Sequence, residues 1–151
     1  MPKITSDNLL KNQLCFAIYN DNRMFNSFYK KVLRAYSLTY PQYLVLLSLW
    51  EKSPRSFHDL STQLGLPSNT LTPLLRRLEE HGWIYRKKNP KDLRCLEIYL
   101  SRKGKGKRSS ILNTIRNCIS GKNGISVNEY KKLLISNQKL LKKLKSLVNT
   151  V

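Results

Sequence analysis

Small polar side chains and arginines alternate with leucines between Ser68 and Arg77, and this pattern has the clearest chemistry in the chain. The segment PSNTLTPLLRRLEEHG predicts a helix, because its leucines recur at helical spacing and form a buried stripe. Short polar groups at the helix start, followed by arginines one to two turns on, suit insertion into a DNA major groove. The predicted DNA contacts on this face are Ser68, Asn69, Thr70, Thr72, Pro73, Arg76 and Arg77.

A shorter helix must position this one. The segment SFHDLSTQLGL predicts a helix that Ser56 caps and that Gly65 ends, since glycine tolerates the positive φ of a sharp turn. Ser68 is the predicted N-cap of the second helix, and Gly82 marks its end. Two helices joined by a tight turn predict a helix-turn-helix unit, whose second helix reads the groove.

A basic hairpin is predicted directly after this unit. WIYRKKNPKDLRCLEIYL predicts two strands around a turn at residues 86–94, where Asn-Pro is a turn former. Leu96, Ile98 and Leu100 would share one face of the second strand, and residues 83–85 begin its partner. Such a wing can reach a neighbouring minor groove, which attracts arginine. The predicted contacts here are Arg86, Lys87, Lys88, Lys91 and Arg94. A solvated hairpin beside an ordinary amphipathic helix is the alternative, and the order of the elements disfavours it.

Composition supports a polyanionic partner. The chain of 151 residues has 28 Lys and Arg against 9 Asp and Glu, a formal net charge of +19. The charge is dense at the wing and just after it, since residues 86–108 hold ten Lys and Arg against two acidic residues. The length predicts one domain, 1–151, with 40% hydrophobic residues to form a core.

Other classes of protein find little support in the sequence. His58 and His81 have no partners at metal-ligand spacing, so we expect no metal. We also expect no organic cofactor and no enzyme turnover, because no catalytic triad, phosphate loop or dinucleotide motif is visible. The sequence shows no secretion signal and no apolar run long enough for a membrane, so we expect a cytoplasmic protein without a membrane partner.

Long apolar stripes flank the predicted reading unit. Residues 8–36, 102–120 and 127–148 have helical periodicity, and Asn137 interrupts the seven-residue pattern of the last stripe. These helices could pack within one chain, or form a dimer interface in which Asn137 sets the register. The predicted fold class is mainly α with a small β-wing, a winged helix-turn-helix at 39–101, dimerised through the N- and C-terminal segments 1–38 and 102–151. A homodimer would read a palindromic operator in double-stranded DNA.

The chain resembles the MarR family of winged-helix transcription regulators over most of residues 13–100, and within it the branch that senses organic hydroperoxides and other oxidants. The resemblance is carried by LCFAIYNDNRMFNSFYKKVL, LTYPQYLVLLSLWE, NTLTPLLRRLEEHGWI and the wing's Asp92-Leu93-Arg94. It implies that Cys15 is the oxidant-sensing cysteine, with Phe16 lining an apolar pocket. It also implies that Tyr29 and Tyr40 of the partner subunit hydrogen-bond that cysteine, with Tyr19 close by. In the wing, the resemblance implies that Asp92 orients Arg94 for the minor groove.

The chemistry of such a switch is coherent. A thiolate attacks a peroxide and becomes a sulfenic acid, and phenol donors stabilise the anion. On sequence alone Cys15 is more often a small buried hydrophobe, and the three cysteines do not form a disulfide framework. Cys118 is a hypothetical resolving cysteine, which would form a disulfide between subunits. Without it, a small cellular thiol would cap Cys15. We interpret Cys95, in the wing, as a bystander.

The leading interpretation is therefore a homodimeric, oxidation-sensing regulator with an organic hydroperoxide or related oxidant as effector. We expect it to act as a repressor that releases DNA on oxidation. One alternative keeps the DNA binding but replaces oxidation with reversible binding of a small aromatic ligand. Another is a nonspecific architectural protein that coats DNA because of its charge.

Overall fold

The computed structural model describes residues 9–151, so the predictions for residues 1–8, including the start of the 1–38 segment, lie outside the described part. The chain divides into two compact units, of which the first ends at Ile111 and the second is Leu112–Val151. The single-domain interpretation stays a prediction. The helices are α1 (Leu14–Val32), α2 (Tyr40–Glu51), α3 (Phe57–Leu64), α4 (Ser68–Glu80), α5 (Arg102–Gly106), α6 (Arg108–Ile119) and α7 (Val127–Thr150). The strands are β1 (Arg55–Ser56), β2 (Ile84–Asn89) and β3 (Asp92–Leu100).

The N-terminal helical segment is shorter than the predicted 8–36. Helix α1 begins at Leu14, and its continuation, Leu33–Tyr36, tightens into a 3-10 turn that ends at Ser37 in the left-handed region. Helix α2 begins at Tyr40, because Thr39 accepts a hydrogen bond from the backbone amide of Gln42, whose side chain in turn accepts from the amide of Thr39. Proline in the first turn has no amide to leave unpaired there.

The predicted helix-turn-helix is confirmed, with one correction at its turn. Ser56 caps α3 by accepting from the amide of Asp59 at 3.0 Å, and Gly65 ends it at φ 63°. The prediction that Ser68 caps α4 is wrong, since Pro67 is the N-cap and Ser68 is the first helical residue. The reason is that the proline ring favours the extended backbone of a cap residue, which has φ −68° and ψ 160° here.

The core of the first unit lies beneath this pair of helices. Helix α2 contributes an almost fully apolar segment, and α3 and α4 contribute the leucines of their inner faces. The leucine stripe predicted for α4 is buried, except that Leu74 is only half-buried. Residues with no exposed surface in this core include Leu33, Val45, Leu46, Leu60, Leu71, Leu75, Leu78, Ile98 and Ile111.

The wing is a three-stranded antiparallel sheet in the order β1-β3-β2. Strand β1 was not predicted, because its two residues pair with Ile98 and Glu97 of β3 far along the chain. The predicted turn at 86–94 is wrong in extent, since only Pro90 and Lys91 separate the strands. The basic residues belong to the ladder instead, with pairs such as Lys87–Glu97, because a side chain that points to solvent does not interrupt backbone pairing.

The predicted helix at 102–120 is interrupted at Lys107, between α5 and α6. Ser101 caps α5 by accepting from the amide of Gly104 at 3.0 Å. Helix α7 extends to Thr150, two residues beyond its predicted end. No helix among residues 9–151 is both long and apolar enough to cross a membrane.

Candidate nucleic-acid interface

The outer face of α4 exposes the side chains that the sequence predicts as groove contacts. The leucines at 71, 75 and 78 are fully buried, which fixes the rotation of the helix about its axis. Pro73 lies inside the helix and has no amide hydrogen, so the carbonyl of Asn69 lacks its usual helical donor. The exposed residues are Ser68, Asn69, Thr70, Thr72, Pro73, Arg76 and Arg77.

The two arginines of this face differ in their partners. The Nε atom of Arg76 lies 2.9 Å from Oε1 of Glu80 in an exposed pair one turn apart. Such an exposed ion pair contributes little to stability, so Arg76 can exchange Glu80 for a phosphate or a base. Among the described residues, the guanidinium of Arg77 has no ion-pair or hydrogen-bond partner. Both arginines are therefore available on the face that would meet DNA.

Arg86 differs from the other predicted wing contacts, because its guanidinium binds Glu79 of α4. Its Nη2 and Nε atoms lie 2.6 and 2.9 Å from Oε2 of Glu79, and its backbone amide donates to Oε1 at 3.1 Å. The hydrogen bond from the Arg86 side chain holds the pKa of Glu79 below its ordinary value of 4.5. The sequence predicts Arg86 as a DNA contact and has no signal that would predict the role of Glu79.

The wing tip is held by short hydrogen bonds to its own backbone. Oδ1 of Asn89 accepts from the amide of Lys91 at 2.8 Å, and Oδ1 of Asp92 accepts from the amide of Arg94 at 3.0 Å. Asp92 therefore contacts the backbone of Arg94, and no ion pair to its guanidinium is found among the described residues. The side chains of Lys87, Lys88, Lys91 and Arg94 are exposed.

Cys95 faces the same carboxylate. Its thiol donates to Oδ2 of Asp92 at 3.4 Å, and this hydrogen bond raises the pKa of the Cys95 thiol. A raised pKa keeps the sulfur protonated, which disfavours the thiolate needed for attack on a peroxide. The wing cysteine is thus exposed yet poorly suited to oxidant chemistry.

Cys15 is exposed in the first turn of α1. Tyr19 lies one turn further along and is 59% exposed, and it stacks with Phe16 at 6.4 Å between ring centroids. Three of the five residues predicted for the sensor site, namely Cys15, Phe16 and Tyr19, therefore lie together at this end of the helix.

The other two predicted tyrosines lie together elsewhere. Tyr29 and Tyr40 stack with ring centroids 4.4 Å apart, and Tyr43 is 5.3 Å from Tyr29. Tyr29 follows Cys15 by fourteen positions on one helix, which places it about 21 Å further along the axis. Within one chain Tyr29 therefore cannot contact Cys15. Tyr43 was not predicted, and its place one turn after Tyr40 was the available signal.

The second unit holds the remaining thiol. Cys118 is exposed near the end of α6.

Among residues 9–151, no group of three or more His, Cys, Asp or Glu side chains could hold a metal ion.

Comparison with known proteins shows the family. Residues 38–96 match the MarR family. The HTH-type transcriptional regulator MgrA of Staphylococcus aureus is 38% identical over 125 residues, which cover 82% of this chain and 84% of MgrA. The chain belongs to the MarR family. The HTH-type transcriptional regulator TtmR of Methylorubrum extorquens is 40% identical over 83% of this chain, but the chain spans only 64% of TtmR.

Solved structures agree with this membership of the MarR family. Reduced AbfR bound to DNA has a TM-score of 0.84 and 38% identity, covering 96% of this chain and 99% of AbfR. A disulfide form of AbfR, a protein of Staphylococcus epidermidis, has a TM-score of 0.65 and 39% identity over 87% of this chain and 92% of its own. The predicted family and the mainly helical winged fold are confirmed, and the chain is a MarR-type transcription regulator.

Proposed function

We propose that this chain is a homodimeric transcription regulator that binds a palindromic operator and releases it when Cys15 is oxidised. The observation that carries the proposal is the exposed polar and basic face of α4 beside a basic wing. AbfR, which is similar over nearly the whole chain, has been solved on DNA in its reduced form. In this proposal α4 reads the major groove, and Arg94 enters the minor groove.

The homodimer is supported by α7. Its apolar side chains are exposed along the predicted seven-residue pattern, and water is an unfavourable environment for so wide a stripe. The exposed members of this pattern are Val127, Tyr130, Leu134, Leu141, Leu144 and Val148. A second copy that covers them would also set two reading helices at a fixed spacing, as paired half-sites require.

The oxidation step uses Cys15 and a hydroperoxide. The thiolate attacks one peroxide oxygen, the S–O bond forms as the O–O bond breaks, and an alcohol leaves after taking up a proton. The sulfur is oxidised to a sulfenic acid, and the peroxide is reduced. Exposure of Cys15 supports the assignment, since the peroxide must reach the sulfur. Tyr29 lies about 21 Å from Cys15 along α1, and Tyr40 stacks with Tyr29. In this proposal, phenol donors from that pair therefore belong to the partner subunit.

Cys118 is the proposed resolving residue. Its thiolate would attack the sulfenic sulfur of the other subunit, so that an S–S bond forms and hydroxide leaves as water. Cys118 is an exposed thiol, and AbfR, 39% identical over most of the chain, has been solved with a disulfide. We propose repression as the regulatory effect, since binding near a promoter blocks polymerase until oxidation releases the protein.

Non-reducing denaturing gels after mild hydroperoxide treatment test the redox part. We expect a covalent dimer in the wild type and in Cys95→Ser, the matched control, but not in Cys15→Ser or Cys118→Ser. A covalent dimer that survives Cys15→Ser would contradict the assignment of the sensor. A wild type that stays monomeric while mass spectrometry finds a small thiol on Cys15 would remove Cys118 from the switch.

Fluorescence anisotropy tests the DNA part, with a duplex selected by the reduced protein from a random pool. We expect that duplex to bind about 10³-fold or more tightly than an unrelated one at the same salt concentration. Equal affinity for both would favour the architectural alternative. Oxidation should abolish the preference in the wild type and leave Cys15→Ser unaffected, whereas release of the duplex by a small aromatic ligand that persists in Cys15→Ser would favour a ligand-controlled regulator.

A further inference from the structure

The recognition helix and the wing are connected by a short segment. Helix α4 ends at Glu80 and β2 begins at Ile84, so residues 81–83 set the angle between the two elements. Gly82 has φ 72° in this segment, a conformation that a turn requires and that glycine adopts without strain. A connection of three residues does not by itself hold a helix and a hairpin at one angle.

The Glu79–Arg86 ion pair bridges this connection. Glu79 uses one carboxylate oxygen for the guanidinium and the other for the backbone amide of Arg86, at distances between 2.6 and 3.1 Å. Among the described residues, this is the only hydrogen-bonded side-chain link between α4 and the strands of the wing. Because it fixes both the side chain and the main chain of Arg86, it restrains the strand itself.

The environment of the pair makes it stronger than an ordinary surface contact. The side chains of Arg86 and Glu79 are 29% and 35% exposed, so water competes with them only in part. Charge-assisted hydrogen bonds in such settings are shorter and stronger than neutral ones. The neighbouring Arg76–Glu80 pair is 74% and 53% exposed and lies within one helix, so it cannot restrain the wing.

We infer that Glu79 is a positioning residue for DNA recognition, which holds Arg86 so that α4 and the wing engage one duplex together. The inference rests on the proposed DNA binding and deepens it. It also changes the role of Arg86 from a DNA contact to a structural partner of Glu79. The contacts of the wing contribute fully to DNA affinity only while its angle to α4 is fixed. A mobile wing loses conformational entropy on binding, and this loss lowers the affinity.

The consequence is a coupling between Glu79 and Arg94, although the two residues share no contact. In the wild type, Arg94→Ala should weaken operator binding about tenfold. In Glu79→Gln, which keeps the shape of the side chain but removes its charge, the wing is already poorly placed. Arg94→Ala should then cost about twofold or less, because residues that act as one unit are not additive.

Glu80→Gln is the matched control. It removes the same charge one position away and releases Arg76 rather than the wing. Both substitutions make the protein more positive, which strengthens its attraction to any duplex. A loss of operator affinity in Glu79→Gln, with none in Glu80→Gln, therefore cannot be an effect of net charge. The charge-reversed pair, Glu79→Arg with Arg86→Glu, should recover part of the coupling to Arg94.

The experiment measures anisotropy with the selected duplex for these variants, each with and without Arg94→Ala, after thermal melting has shown that they fold. We expect the losses of operator affinity from Glu79→Gln and Arg94→Ala to be non-additive, and those from Glu80→Gln and Arg94→Ala to be additive. Additive losses in both backgrounds, with wild-type operator preference intact, would overturn the positioning role alone. A wild type that prefers no duplex would overturn this inference together with the proposed function.

Discussion

The winged helix-turn-helix and the last helix bury their leucines to opposite degrees. In α4, the stripe residues Leu71, Leu75 and Leu78 have no exposed surface, whereas Leu134 and Leu141 of α7 are 46% and 49% exposed. Both helices have an apolar stripe at helical spacing, so the pattern alone does not distinguish them. The difference shows that the reading unit is complete within one chain, while α7 presents a surface suited to a partner.

The stabilisation that apolar burial provides in the two regions should therefore respond differently to protein concentration. Apolar burial contributes about 25 cal/mol for each Å² removed from water, and for α4 that contribution is made within the chain. Under the proposed dimerisation, α7 makes this contribution only on association, so its stabilisation should depend on protein concentration. Substitutions in α7 and α4 test this contrast, and two further predictions concern the links between elements.

The largest effect should come from a charge on α7. We expect Leu141→Asp to prevent dimerisation in sedimentation experiments, because a buried unpaired carboxylate in the interface is strongly unfavourable. Operator affinity should fall towards the nonspecific level, by about 10³-fold or more. Lys139→Asp, which lies outside the seven-residue apolar pattern, is the control and should remain dimeric. A dimer that persists in Leu141→Asp would show that the apolar stripe of α7 is not the interface.

The next largest effect should come from a cavity in the core beneath α4. Leu75→Ala should destabilise the chain by about 2–5 kcal/mol, and the loss should not depend on protein concentration. Leu144→Ala deletes the same atoms from an exposed position of α7. Its effect on thermal melting should grow as the protein is diluted. Equal, concentration-independent losses would mean that α7 packs within its own chain.

The sequence predicts such regions well where the signal is local. The leucine stripe of α4, the cap at Ser56 and the turn at Gly65 each depend on neighbouring residues, and each is found as predicted. Strand β1 escaped prediction because it is two residues long and is defined by its pairing with β3. The wing strands were predicted too short for the same reason, since cross-strand partners rather than composition decide where a ladder ends.

The links between elements were the hardest to predict. Glu79 and Arg86 are seven residues apart, but they belong to a helix and a strand with a turn between them, so no single helical or strand period predicts their contact. The close packing of Gly104 against the backbone of Trp83 is also invisible in the sequence, since a glycine within the basic segment KGKGKR looks like a flexible one. Such contacts help to set the positions of the elements that carry the proposed DNA contacts.

Gly104 makes that point testable, with a smaller effect. A Cβ atom at Gly104 would lie 2.3 Å from the carbonyl oxygen of Trp83, so backbone would have to move. We expect Gly104→Ala to cost about 1–3 kcal/mol in thermal melting. Gly106→Ala is the control, because its Cβ would meet open space in the same short helix. A Gly104→Ala protein as stable as Gly106→Ala would contradict the close approach of α5 to Trp83.

The smallest effect should be the pH dependence of the Glu79–Arg86 pair. Because the folded-state pKa of Glu79 lies below 4.5, the pair contributes stability that is present above pH 4.5 and is lost as pH falls through the folded value. The stability difference between wild type and Glu79→Gln should be about 1 kcal/mol or less near neutral pH, since the pair is partly exposed. This stability difference should shrink as the solution is acidified below pH 4.5, whereas the stability difference between wild type and Leu75→Ala should not follow this titration. A difference that stays constant from neutral to acid pH would mean that the Glu79 carboxylate does not stabilise the wing through its charge, and that only the shape of the side chain matters.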